Sequence, residues 1–204
     1  MEFQKSETYL NVARSFAGEA QAGLRYQFIA DQCTAQGYAE LAKEIRILAK
    51  NETFHAKQFF QVINDKCGPV PNITFEAGYP FEGGTIEQGL LFATEAERDE
   101  FQSIYPSFAK IAEKEGFQDV AALFRMIAEV ESQHAVIFEY LHRNFKEGTL
   151  YRSPHPMQWR CANCGHMATI PEAWNICPLC KSSQGYVELH LPFKENQKDE
   201  KQQK

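Results

Sequence analysis

Apolar residues recur at helical spacing through residues 5–148, a stretch also rich in Ala, Glu, Gln, Leu and Phe. Leu41, Ile45, Leu48 and Phe59 form one stripe, and Leu123, Ile127 and Phe138 another, as expected of helices that bury one face. Glycines divide the pattern: Gly37 closes a first helix, Gly116 separates a third from a fourth, and Gly148 ends the fourth. Between the second and third lies Cys67-Gly68-Pro69-Val70-Pro71, then Gly78, Pro80, Gly83 and Gly84, which excludes helix there. The pattern predicts an all-α four-helix bundle, residues 1–148, built from two hairpins joined by a long crossover. Pro106 predicts a kink or brief break in the third helix near Tyr105.

Past Gly148 the helical period stops. Ser153-Pro154-His155-Pro156 reads as a linker spanning 149–156, and residues 157–193 as a small irregular or β domain with a strand-like Tyr186-Val187-Glu188-Leu189. The last stretch, 194–204, is polar and charged without an apolar anchor and is expected to be disordered.

Charge and composition narrow the function class. A net charge of −6 over 204 residues, with no basic run, argues against nucleic acid as partner. The N-terminal Met1-Glu2-Phe3-Gln4-Lys5 has no signal-peptide core, and no apolar run reaches membrane-spanning length, so a cytoplasmic protein with no membrane partner is expected. Six cysteines in such a chain point to metal rather than disulfides. Four of them, Cys161, Cys164, Cys177 and Cys180, make two C-x-x-C pairs, the ligand set of a tetrathiolate zinc or iron site. About forty residues bury too little surface to fold unaided, so metal must supply the missing stability. Cys33 and Cys67 are expected to be small packed thiols.

The two hairpins echo each other. Glu19 lies 18 residues before the turn at Gly37, with Glu52 15 and His55 18 after it. Glu97 and Glu100 lie 19 and 16 before Gly116, with Glu131 15 and His134 18 after it. At about 1.5 Å rise per residue, antiparallel packing brings all seven level, roughly 22–29 Å from their turns. Within each helix the spacing i, i+3 keeps Glu52 with His55, Glu97 with Glu100, and Glu131 with His134 on one face. Such a set inside a bundle demands cations, because unpaired buried charge is too costly. Glu from two helices plus Glu-x-x-His from the other two is a di-iron carboxylate ligand set.

Similar residues out of phase read differently. Glu139 and His142 repeat the Glu-x-x-His spacing but lie eight residues on, about 80° around the helix, and read as surface. Glu95 and Glu129 fall one or two positions out of phase and read as solvated. Tyr26 and Tyr105 are candidates to hydrogen-bond ligating carboxylates, or else plain core aromatics. His155, His166 and His190 carry no supporting pattern.

Together, Glu19, Glu52-x-x-His55, Glu97-x-x-Glu100 before Ile104-Tyr105-Pro106, and Glu131-x-x-His134 resemble the ferritin-like domain of the rubrerythrin family. Trp159-Arg160-Cys161-x-x-Cys164-Gly165 to Cys177-Pro178-x-Cys180 resembles the rubredoxin-like domain that follows it in that family. The match spans about residues 5–192. One departure is Lys181 after Cys180, where rubredoxins have glycine. The resemblance implies a non-haem di-iron peroxidase that reduces hydrogen peroxide to water in oxidative-stress defence. It implies two irons bridged by Glu52 and Glu131, with Glu19, Glu97, His55 and His134 terminal and Glu100 replacing His55 on oxidation. It further implies one rubredoxin-type iron on the four cysteines, electrons from a rubredoxin or NAD(P)H-dependent reductase, and a homodimer. Two rival readings remain: an iron-storage or ferroxidase-type bundle with a structural zinc knuckle, and an oxygen-reducing di-iron oxidase.

Overall fold

The computed structural model describes residues 2–193; the stretch 194–204, expected to be disordered, lies outside the described residues. Helix α1 spans Glu7–Ala35, α2 Ala39–Cys67, α3 Ile86–Asp99, α4 Tyr105–Glu115 and α5 Gln118–Glu147. A five-residue π-helical segment, Glu100–Ile104, joins α3 directly to α4, so these three pieces form the third helix of the expected four. The chain divides into two compact units. Among the described residues, one comprises 2–25, 48–82 and 95–135, and the other 26–47, 83–94 and 136–193.

The helix ends follow local chemistry. Gly37, Gly116 and Gly148 all take left-handed backbone angles, with φ of 87°, 91° and 67°, which a side chain would oppose. The first turn of α1 is capped from a distance. Glu115, the last residue of α4, accepts from the backbone N–H groups of Glu7 and Thr8 at 3.0 and 2.8 Å and from the Thr8 hydroxyl at 2.5 Å. A carboxylate there satisfies otherwise unpaired donors and meets the positive end of the helix dipole.

The first unit buries Tyr9, Val12, Phe59, Ile63, Tyr105, Phe124 and Ile127 in one core. The crossover between α2 and α3 is non-helical, as its prolines and glycines require, yet it is tied down. Val70, Ile73 and Phe75 pack on that core, Tyr79 donates to the Arg14 carbonyl at 2.8 Å, and Arg14 donates to the Glu76 carbonyl at 3.1 Å. In the second unit Tyr26 packs on Phe138 with ring centroids 4.7 Å apart, and Cys33, Leu41 and Ile45 are fully buried.

The C-terminal segment is a two-stranded antiparallel sheet, β1 (Arg152–Arg160) and β2 (Met167–Glu172). Regular pairing runs from Met157↔Ile170 to Arg160↔Met167, and Arg152↔Glu172 pairs beyond an irregular stretch. The sequence made residues 149–156 a linker, whereas β1 already begins at Arg152. Pro154 and Pro156, which have no N–H to give a ladder, sit in the irregular part. The expected strand at Tyr186–Leu189 is also absent. Gln184–Tyr186 is a 3-10 turn, and only Val187 forms a bridge, to Cys161. The knuckle interrupts the strand this segment would pair with. Two hydrogen bonds flank the bridge, Ala162 N–H to Tyr186 O and Glu188 N–H to Arg160 O, each 2.9 Å. Gly185 lies so close to the Gly37 carbonyl that a Cβ would come within 1.8 Å of the oxygen. No helix among the described residues is long and apolar enough to cross a membrane.

Lys181 is the one non-glycine with positive φ among the described residues, at 66°, and it occupies the place of Gly165 (φ 73°) in the other Cys pair. Replacing Lys181 by Gly should therefore stabilise this segment by about 1 kcal/mol, the cost of holding a side chain in the left-handed region. Both tryptophans, Trp159 and Trp174, lie in the segment, so the urea midpoint of tryptophan fluorescence reads it directly. An unchanged or lowered midpoint contradicts the strain.

Candidate metal centres

Two four-residue groups offer ligand atoms mutually within 4.8 Å in the helical part: Glu19, Glu52, His55 and Glu131, and Glu52, Glu97, Glu131 and His134. They share Glu52 and Glu131. Oε2 and Oε1 of Glu52 lie 3.1 and 2.9 Å from Nδ1 of His55 and His134 respectively. Oε1 and Oε2 of Glu131 lie 2.9 and 2.8 Å from the same two nitrogens. Each remaining carboxylate faces one histidine, Glu19 3.6 Å from His55 and Glu97 3.7 Å from His134. The hairpins thus build two half-sites with two carboxylates between them, and the imidazoles lie 5.8 Å apart, tilted by 25°.

These contacts exceed what protons alone can satisfy. Nδ1 of His134 is close to three carboxylates yet has at most one proton to share among them. Glu19 Oε2, Glu52 Oε1, both Glu131 oxygens and His134 Nδ1 are buried without a hydrogen-bond partner. Hard carboxylate oxygens and imidazole nitrogens converging on one buried space suit iron.

The electrostatics carry the same strain. Burial first, then repulsion from Glu52 and Glu131, raises the Glu97 carboxyl to about 8. Burial likewise lifts Glu19 well above the ordinary carboxyl range. Burial opposes the charged form of Glu52 too, but the His134 and His55 imidazoles beside its two oxygens overcome it and hold this group at about 2. For His55, burial disfavours the cation, yet the surrounding carboxylates raise it to about 12. His134 is raised well above its usual value in the same way.

Glu100 belongs to neither four-residue group. It is only half-buried, but burial and four neighbouring carboxylates, Glu19 foremost, push its carboxyl well above normal. The Tyr105 hydroxyl donates a short hydrogen bond to Glu19 Oε1. Tyr26 is 1% exposed and packs on Phe138. Glu95, Glu129 and Glu139 are exposed, as expected. His142 joins no metal-capable group, but it is half-buried with Nε2 out of solvent, so the surface placement read from its phase is corrected. Eight residues past His134, it leaves the metal face without becoming fully exposed.

Two local features that place these groups escaped the sequence reading. Gly23 lets α1 approach α2 beside the site: a Cβ there would meet the Ala49 carbonyl at 3.0 Å and Glu52 Cβ at 3.2 Å. The π segment is the other. The Tyr105 N–H bonds the Glu100 carbonyl, so one extra residue is absorbed within a single turn. In an unbroken α-helix Tyr105 would lie about 140° around from Glu100, whereas with the surplus absorbed it comes close to the same face. Pro106, expected to kink or briefly break the helix near Tyr105, stands at the start of α4 just past the π segment that interrupts the α pattern, where its missing N–H costs no helical bond.

In the tail, the sulfurs of Cys161, Cys164, Cys177 and Cys180 converge within 4.8 Å of one another. Cys161 and Cys180 are 3.7 Å apart, as are Cys164 and Cys177. The Cys180 sulfur lies 3.3 Å from the Ser182 hydroxyl and 3.6 Å from the Asn163 amide nitrogen, and these donors, Ser182 first, lower its thiol to about 5. Trp159 is buried and donates to the Ile170 carbonyl at 3.0 Å. His190 packs on Trp159 and His166 on Trp174, while His155 is exposed. Cys33 is buried, which pushes its thiol up to about 12, and Cys67 is half-buried; both are free.

Residues 11–142, with an overlapping match over 88–158, fit the rubrerythrin family model, and residues 159–188 fit the rubrerythrin rubredoxin-like domain. The chain belongs to the rubrerythrin family. It is 38% identical to a rubrerythrin of Clostridium perfringens, over 93% of this chain and 96% of that protein. Identity to a rubrerythrin of Porphyromonas gingivalis is 36%, over 94% and 92%. Among solved structures, a partially reduced nigerythrin matches with a TM-score of 0.60 at 20% identity, covering 93% of this chain and 94% of that one. The bacterioferritin of Desulfovibrio desulfuricans matches with a TM-score of 0.64 at 24% identity, covering 72% and 84%. At these identities the structural likeness shows the fold, a ferritin-like helical bundle with a small tail domain. The family, the Glu/His cluster and the four cysteines together give a di-iron carboxylate site and a rubredoxin-like knuckle.

Metal binding must displace the protons that the raised groups hold. Below about pH 8, where the Glu97 carboxyl retains its proton, ferrous affinity of the metal-free protein should rise about tenfold per pH unit for each proton displaced. Anaerobic Fe2+ titrations across this range check it, and a pH-independent affinity contradicts the assignment.

Proposed function

We propose that the chain is a cytoplasmic di-iron peroxidase that reduces hydrogen peroxide to water in oxidative-stress defence. The observation that carries the reading is the pair of overlapping half-sites sharing Glu52 and Glu131, followed in the same chain by a four-cysteine knuckle. In this reading Glu52 and Glu131 would be shared by the two irons, Glu19 with His55 and Glu97 with His134 would complete the half-sites, and Cys161, Cys164, Cys177 and Cys180 would hold the mononuclear iron. Residues 1–148 carry the first centre and residues 157–193 the second. When bound, the two irons supply the two electrons that break the peroxide O–O bond, which with two protons leaves two molecules of water.

The protein's own groups prepare that step. The buried carboxylates match the rise in positive charge at the metals, and Tyr105 holds Glu19 in orientation through its hydroxyl. Glu100 takes the position of His55 once the irons are oxidised; its standing outside both half-sites while its carboxyl feels theirs supports this role. The knuckle returns electrons one at a time without changing its ligands. Their source is a rubredoxin or an NAD(P)H-dependent reductase, and the working form is a homodimer in which the knuckle of one subunit serves the di-iron site of the other.

Cys177→Ser should abolish steady-state, reductant-driven peroxide consumption while leaving a single oxidation of the prereduced di-iron site by peroxide intact. Run anaerobically with peroxide and then with oxygen alone, the same assay distinguishes peroxidase from oxidase. Unchanged steady-state turnover in the variant would remove the relay role from the knuckle.

A second pair of variants tests the third helix. Glu97→Ala should lose iron in both redox states, whereas Glu100→Ala should bind two ferrous ions normally and destabilise only the oxidised site. Equal ferrous loss in both variants sinks the ligand exchange.

A further inference from the structure

The two histidines of the di-iron cluster are held differently. Nδ1 of each faces the carboxylates, but only His134 has a partner on the far side of its ring: its Nε2 lies 3.2 Å from the side-chain amide of Asn51. His134 is also the more enclosed, with 3% side-chain exposure against 12% for His55. Among the described residues, nothing is hydrogen-bonded to Nε2 of His55.

The sequence supplies the reason. Asn51 directly precedes Glu52 on α2, and its counterpart in the second hairpin, directly preceding Glu131 on α5, is Val130. The two glutamates of the Glu-x-x-His pairs are thus preceded by different residue types. One of these is an amide, which reaches His134. The other is an aliphatic group, 38% exposed, that has nothing to offer an imidazole.

We propose that Asn51 is a positioning residue that fixes the ring and tautomer of His134, making its half-site the anchored one and leaving that of His55 free to rearrange. The inference rests on the di-iron reading above. For Nδ1 to carry a lone pair to a metal, the neutral ring must keep its proton on Nε2, so Nε2 is the donor and the amide must present its oxygen. The oxygen and nitrogen of an asparagine amide exchange places by a half-turn, and their assignment follows from such a partner. The 3.2 Å separation is drawn to Nδ2 of the amide; a half-turn puts Oδ1 in its place, where it accepts from His134 Nε2–H. Outer partners of this kind hold a ligand's orientation and raise its basicity, and their loss lowers metal affinity about 10–100-fold.

Three variants of the full chain decide the matter: Asn51→Leu, similar in size with no acceptor; Asn51→Ala, in case leucine disturbs the helix; and Asn51→Asp, which keeps an acceptor. Anaerobic Fe2+ titration should show two sites in the wild type, with one weakened about 10–100-fold in the Leu and Ala variants and restored in Asp. In zinc-loaded protein, 15N–1H spectra should show a slowly exchanging His134 Nε2–H in the wild type and in Asp, and fast exchange in Leu and Ala. If Leu and Ala bind both ions as tightly as wild type, or if Asp loses an ion as they do, Asn51 does not act as the acceptor. A wild-type protein that binds fewer than two ions overturns the di-iron reading itself, a separate outcome.

Discussion

A helical bundle normally excludes charge from its centre, and this one gathers carboxylates and imidazoles there. The bundle is stable only because these groups neutralise one another and, in the working protein, share two metal ions. Everything near them follows from that constraint. Glu52 and Glu131 each span both histidines. Tyr105 donates to an oxygen of the buried Glu19. Gly23 clears the space in which α1 comes close to Glu52. Even the distant clamp of Glu115 on the start of α1 contributes, because it fixes one end of the helix that carries Glu19.

Much of this was legible in the sequence because it depends on periodicity and depth. Counting from Gly37 and Gly116 placed Glu19, Glu52, His55, Glu97, Glu100, Glu131 and His134 at one level, and the structure brings all of them but Glu100 into two groups that share Glu52 and Glu131. The same count set Glu139 aside correctly but sent His142 to the surface. A helix face has only two sides in a periodicity argument, and His142 lies on the flank between them. The cysteine pairs were readable because their spacing is itself the geometry of a knuckle.

What stayed hidden depends on neighbours across helices or on a break in the period. Asn51 is about 100° off the ligand face of its own helix, so counting along α2 discards it, and only the packing of α5 brings His134 within its reach. Nothing in the sequence around Gly23 shows that a second backbone passes beside it. The tail misled in the opposite way. Tyr186–Leu189 has the composition of a strand, but the knuckle leaves it only one bridge's length of partner.

The π segment turns chain length into a geometric marker. Four residues separate Glu100 from Tyr105, where an unbroken α-helix holding both on one face would need three. Inserting or deleting one residue in this stretch leaves composition and hydropathy almost untouched, yet it swings α4 by about 100° and changes which side chain meets Glu19. In an aligned sequence, the length of this short gap therefore records whether the tyrosine still reaches its carboxylate, even where every ligand is present.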